Sequence, residues 1–132
     1  MRTRTLPATI LLSALLATAI TYAQDARLAT TMSEATITVQ NRADSNGYVM
    51  LRLTPVGGQP IEATVDVLDR MSENDIAADI EKELTIALAD KYSVERGGGE
   101  NVRIRKLDRD TGPDFELEIA FNTPGLSITM EN

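Results

Sequence analysis

The chain contains no cysteine and no histidine. Without cysteine no disulfide can staple the fold, so stability has to come from a packed core and from backbone pairing. Without histidine it lacks the commonest general base, a common zinc ligand and the side chain that titrates nearest neutral pH. Together the two absences exclude Ser-His and Cys-His nucleophile pairs, and a Ser-Lys alternative has no local signature behind it. Basic residues are also scarce: 13 Lys and Arg stand against 20 Asp and Glu, a formal charge of −7. Nucleic acid and anionic lipid both require a basic footprint, so neither is expected as a partner.

Long apolar runs are absent too, apart from one short stretch at the start. Met1-Arg2-Thr3-Arg4 is basic, Leu6 to Ile20 is mostly apolar, and Thr21-Tyr22-Ala23 places small residues at the −3 and −1 positions of a cleavage site. This pattern predicts a secretory signal peptide over residues 1–23, cut after Ala23. A membrane anchor needs about 20 continuous apolar residues, whereas this run is broken by Pro7, Thr9, Ser13, Thr18 and Thr21. No cysteine follows that could carry a lipid, and no later stretch reads as an integral membrane segment. The expected address is therefore periplasmic or secreted. Cleavage takes two arginines and no acid from the totals, leaving 109 residues with 11 basic and 20 acidic side chains, a charge of −9. That length suits one small domain. Residues 24–34 read as a flexible polar lead and residues 35–132 as a single α+β domain.

Within that domain one stretch insists on a helix. In Ser72 to Tyr92 the apolar residues Ile76, Ala77, Ile80, Leu84, Ala87 and Leu88 fall on one stripe, with Ser72 as N-cap and Asp75 in the capping-box position. Ile86 lies outside the stripe and is a candidate contact residue on the outer helix face. The other elements alternate with period two: residues 35–40, 48–54, 61–68, 102–107 and 115–121, with shorter strands at 92–95 and 126–130. In the fifth of these, Phe115, Leu117, Ile119 and Phe121 are expected on one buried face. Parity allows a hairpin that sets Arg105 opposite Glu116 and Arg103 opposite Glu118. The predicted order is β-β-β-α-β-β-β-β, a mainly antiparallel sheet of six to seven strands with the amphipathic helix packed on one face; the sheet is either open, with its other face solvated, or curled into two layers, and the open form is favoured.

The densest polar cluster is Asp108-Arg109-Asp110-Thr111-Gly112-Pro113-Asp114. Alternating carboxylates at Asp108, Asp110 and Asp114 suit a hard cation such as calcium. The EF-hand pattern fails, because Pro113 stands at its glycine position and Ile119 at its closing glutamate. The competing reading is an acidic turn held by Gly112-Pro113. Paired carboxylates such as Asp66 with Asp69, or Glu116 with Glu118, leave a carboxylate-based hydrolase as a third reading. It needs two carboxyls facing each other across a cleft, and these lie on polar faces. Gly97-Gly98-Gly99 lacks the lysine and following helix of a phosphate loop.

The run Ile76-Ala77-Ala78-Asp79-Ile80 with Leu84 and Ala87-Leu88, then Tyr92-Ser93-Val94, Val102-Arg103-Ile104, Asp114 to Ile119 and Pro124-Gly125-Leu126-Ser127-Ile128 resembles a strand-helix-hairpin module of phage tail and other extracellular filament proteins. The resemblance covers roughly residues 48–130. It implies a non-catalytic module that packs beside copies of itself or a protein partner; the export signal departs from the phage pattern, since phage tails assemble in the cytoplasm. The helix followed by alternating strands is also similar to the periplasmic BON domain, whose second helix this chain lacks. The expected function is an exported non-enzymatic interaction or assembly module of a bacterial-type envelope, through protein partner or self-association. No cofactor is expected, and calcium at the 108–114 loop is the alternative.

Overall fold

The computed structural model describes residues 30–132 and the backbone of Ala26 and Arg27. The predicted signal peptide lies outside the described residues. The order is β1 (Ala26–Arg27), β2 (Glu34–Val39), β3 (Gly47–Pro55), β4 (Ile61–Val67), α1 (Glu73–Leu88), β5 (Tyr92–Arg96), β6 (Asn101–Lys106), β7 (Phe115–Asn122) and β8 (Ile128–Glu131). The fold is α+β, and every strand pairing is antiparallel.

The strands divide between two four-stranded sheets, β1-β7-β3-β4 and β5-β6-β2-β8, the two-layer alternative rather than the favoured open sheet. The reason is coverage. A 16-residue helix is about 24 Å long and roughly 10 Å wide, while a single sheet of all eight strands would span about 35 Å across. One helix leaves most of such a face wet; two sheets cover each other. The buried faces of both sheets and the stripe of α1 form one core, in which Ile37, Leu51, Leu53, Ile76, Ile80, Leu84, Ile104, Phe115 and Leu117 are among the most enclosed side chains. Helix α1 packs on β4 of the first sheet and on β5, β2 and β6 of the second, and so closes the core across the gap between them.

The helix forms where the stripe predicts it. Ile76, Ala77, Ile80, Leu84 and Leu88 are buried, and Ala87 is partly so. The Ser72 hydroxyl accepts the Asp75 amide at 3.2 Å and donates to the Asp75 carboxylate at 2.7 Å, a closed cap at the N-terminus. The β3–β4 hairpin runs in register from Gly47 opposite Val67 to Leu53 opposite Ile61, turning through Gly57 at φ 73°.

Two sequence expectations about pairing are corrected. Strands β6 and β7 do not pair: β6 lies between β5 and β2, and β7 between β1 and β3. Arg103 therefore meets Glu34 at 3.2 Å, Arg105 meets Glu95 at 2.6 Å, and Glu118 meets Arg52 at 3.4 Å. Alternation fixes which face a residue takes but not which strand lies beside it. The second correction concerns Phe121. Met50 pairs with Phe121 while Leu51 pairs with Ile119, so Ala120 is an extra residue, a β-bulge. Beyond it the parity of β7 inverts, and Phe121 joins Met50 on the outer face.

The segment between β1 and β2 carries the chain from one sheet to the other. Met32 is buried and exchanges two backbone hydrogen bonds with Phe115, at 2.8 and 2.9 Å. One residue later the Ser33 carbonyl accepts from the Lys106 amide at 3.2 Å. Within the stretch expected as a lead, β1 and Met32 pair with the first sheet and Glu34 opens β2.

Candidate functional site

The inverted end of β7 creates the one aromatic cluster on the outer face of the first sheet among the described residues. The Phe121 and Tyr48 rings stack with centroids 4.2 Å apart and planes 20° from parallel. Met50, directly opposite Phe121 in the register and two residues after Tyr48 on the same strand, is half-buried. Tyr48 is 37% exposed. Asp66 stands across from Tyr48 and Thr64 across from Met50. Further along the same face Arg52 is flanked by Glu62, at 2.8 Å, and Glu118, at 3.4 Å. Glu116 lies beyond, across from Thr54. The face thus presents a small apolar and aromatic patch beside Asp66, Glu62 and Glu118, with Arg52 and, by register, Arg27 opposite Glu118 as its basic positions.

The sequence-predicted site residues lie elsewhere. Ile86 sits on the outer face of α1, 66% exposed, without apolar neighbours of its size on the helix surface: Val56, Leu68 and Leu107, the other large exposed aliphatics, lie just past the ends of β3, β4 and β6. The three acids of the 108–114 loop are not gathered round a common point. Asp108 is spent on its own turn, accepting the amides of Asp110 at 3.0 Å and Thr111 at 3.2 Å and the Thr111 hydroxyl. Those hydrogen bonds, that of the Thr111 hydroxyl foremost, hold its carboxyl below the usual carboxylate range. Asp114 accepts from the Lys106 ammonium at 2.8 Å. Asp110 stays on the exposed tip. Among the described residues no group of three or more acids is arranged to hold a metal ion.

Nor do the paired carboxylates face each other across a cleft. Asp66 and Asp69 are exposed, and Glu118 is committed to Arg52. A second polar feature lies at the corner where the chain changes sheets: a cavity of about 220 Å³ lined by Ser33, Glu34, Arg105, Lys106 and Arg109. Both this cavity and the aromatic patch escape a reading by alternation. The cavity had a sequence signal, since four basic residues fall within positions 103–109. The patch had none, because Phe121 continues the period of Phe115, Leu117 and Ile119.

No protein-family model matches the chain, and no curated protein matches it. The likeness to filament modules therefore rests on the chain's own apolar positions. Among the described residues no helix is long and apolar enough to cross a membrane.

Proposed function

We propose that this protein is an exported, non-enzymatic interaction module that docks a basic protein partner on the outer face of the β1-β7-β3-β4 sheet. The observation that carries the reading is the Tyr48–Phe121 stack with Met50, put outside the core by the bulge at Ala120. A bulge costs ladder hydrogen bonds, and here it moves a large ring from the core side to the solvent side. Aromatic residues and methionine are the side chains enriched at the centres of protein interfaces. Asp66 stands across from Tyr48, and Glu62 and Glu118 lie further along the face, so the complementary surface carries Lys or Arg around an apolar or aromatic anchor. The same acids oppose stacking of this face on a second copy. Export is supported by the basic start, apolar core and Ala23 cleavage pattern of residues 1–23.

The test is a displayed random-peptide library panned on the protein. The expected sequences combine aromatic residues with Lys or Arg, and they bind a Tyr48→Ser/Phe121→Ser variant at least about tenfold more weakly, as loss of an interface anchor requires. Selected peptides that bind the double variant equally would overturn the proposal. Light scattering adds the oligomeric arm: a constant mass is expected, and a mass that rises with concentration in the wild type but not in the double variant replaces the basic partner with a second copy. The N-terminal residue of the exported product is expected to be Gln24.

A further inference from the structure

We propose that the cavity at the Met32–Ser33 corner binds a small oxyanion, a carboxylate or phosphate group. Its wall carries Arg105, Lys106 and Arg109 against Glu34 alone, in a chain whose formal charge is −7. Three of the 13 basic residues are thus gathered at one point. Their existing contacts leave donors free. Glu34 is engaged by Arg103 at 3.2 Å. Arg105 spends one terminal nitrogen on Glu95, at 2.6 Å, of the five N–H groups a guanidinium carries. The Lys106 side chain is only 11% exposed and is held by Asp114 at 2.8 Å, which fixes the ammonium at the cavity wall and leaves it two further N–H donors. Arg109 pairs with no carboxylate among the described residues. It is the unbalanced charge of the group.

Fold and loop cooperate in this arrangement. The corner at Ser33 is anchored by the Lys106 amide, and the Lys106–Asp114 pair ties the end of β6 to the start of β7. Asp108, by closing its own turn on Asp110 and Thr111, shapes the loop that brings Arg109 to the same cavity. The loop whose acids invite a cation in sequence thus contributes a guanidinium to an anion site. The volume is below the roughly 300–1,000 Å³ of pockets that enclose drug-sized ligands and amounts to several water volumes. It fits one oxyanion group with its hydration. A guanidinium fork pairs with carboxylate or phosphate through two parallel hydrogen bonds, and the acidic surface elsewhere repels anions from competing positions.

The experiment is a two-dimensional NMR titration of the protein at low salt with inorganic phosphate and, separately, with acetate. Saturable shifts are expected at Ser33, Arg105, Lys106 and Arg109, and the tighter of the two ions identifies the group. The Arg109→Ala variant changes an exposed loop residue and is expected to weaken binding about tenfold or more, the size of a lost hydrogen bond to a charged group. Arg96→Ala, on β5 and away from the cavity wall, is expected to leave affinity unchanged. Shifts that never saturate, or an affinity that Arg109→Ala leaves intact, would overturn the proposal, as would equal weakening by Arg96→Ala.

Discussion

The ring of Phe121 stacks on that of Tyr48, centroids 4.2 Å apart, on the face of the sheet turned away from the core. Two residues earlier on the same strand, Ile119 is buried. The Ala120 bulge separates the two environments, and mutation reads them apart. Leu117→Ala removes a fully buried side chain and is expected to cost about 2–5 kcal/mol. Phe121→Ala loses the stacked pair, about 0.5–1.5 kcal/mol, together with the area of a half-buried ring, and is expected to cost less than Leu117→Ala. Urea unfolding midpoints check the difference. Equal losses at the two positions would place Phe121 in the core and remove the bulge.

Most of the core was legible because it obeys short-range geometry. The buried set of β3 (Val49, Leu51, Leu53), of β4 (Ala63, Val65, Val67) and of α1 follows from period and stripe alone. What lay beyond reach depends on distant neighbours. Thr36 of β2 pairs with Arg103, and nothing within either strand names the other. The division into two sheets follows from the width one helix can cover, a property of the whole chain rather than of any window. The bulge is hidden because the residues after Ala120 preserve the apolar alternation while the ladder does not. In the 108–114 loop the composition was legible, but Asp108 and Asp114 have local partners in Thr111 and Lys106 that redirect their charge.

The cap of α1 gives a local measure of helix stability. Ser72→Ala removes the acceptor of the Asp75 amide and the donor to the Asp75 carboxylate together. The expected cost is about 1 kcal/mol, within the usual 0.5–2 kcal/mol for such caps. Chemical denaturation measures it. Ser72→Asp, which keeps an acceptor at the helix N-terminus, is expected to recover most of the loss.

Gly47 begins β3 against the buried side chain of Thr123. A Cβ added at Gly47 would run into the Thr123 hydroxyl oxygen and lie 2.7 Å from its Cβ, far inside contact distance. Thr123 is 3% exposed and has little room to yield. Gly47→Ala is therefore expected to destabilise by about 1–3 kcal/mol, as overpacking does. Adding Thr123→Ala removes the hydroxyl but not the Cβ, so the double variant is expected to recover only part of the loss in thermal unfolding.

Tyr92 supplies an alkaline marker. Its ring packs edge-on to Phe115 at 5.2 Å and its hydroxyl donates to the Pro113 carbonyl at 3.2 Å. Burial, and secondarily the Asp114 carboxylate, raises its pKa above the ordinary 10.0. The folded state thus holds the proton more tightly than the unfolded chain. Stability from this source is complete below about pH 10 and is lost as pH rises through the folded value. Tyr92→Phe is expected to flatten that alkaline decline, measured as unfolding free energy against pH.

Asp108 sets the opposite limb and decides what the acidic loop can do. The Thr111 hydroxyl and then the amides of Asp110 and Thr111 stabilise its charged form, so its folded pKa lies below the ordinary 3.8. Its contribution is present above that value and disappears as pH falls through the lowered one. In carboxyl NMR titrations Asp108 is expected to protonate below the ordinary value, and Thr111→Val to move it back upward. A carboxylate already satisfied by its own turn, beside an Asp114 already held by Lys106, has little to offer calcium. Adding calcium is accordingly expected to leave the melting temperature unchanged. A rise that an Asp110→Asn/Asp114→Asn variant abolishes would show that the cation can break both sets of bonds, and would return the loop to a metal-binding role.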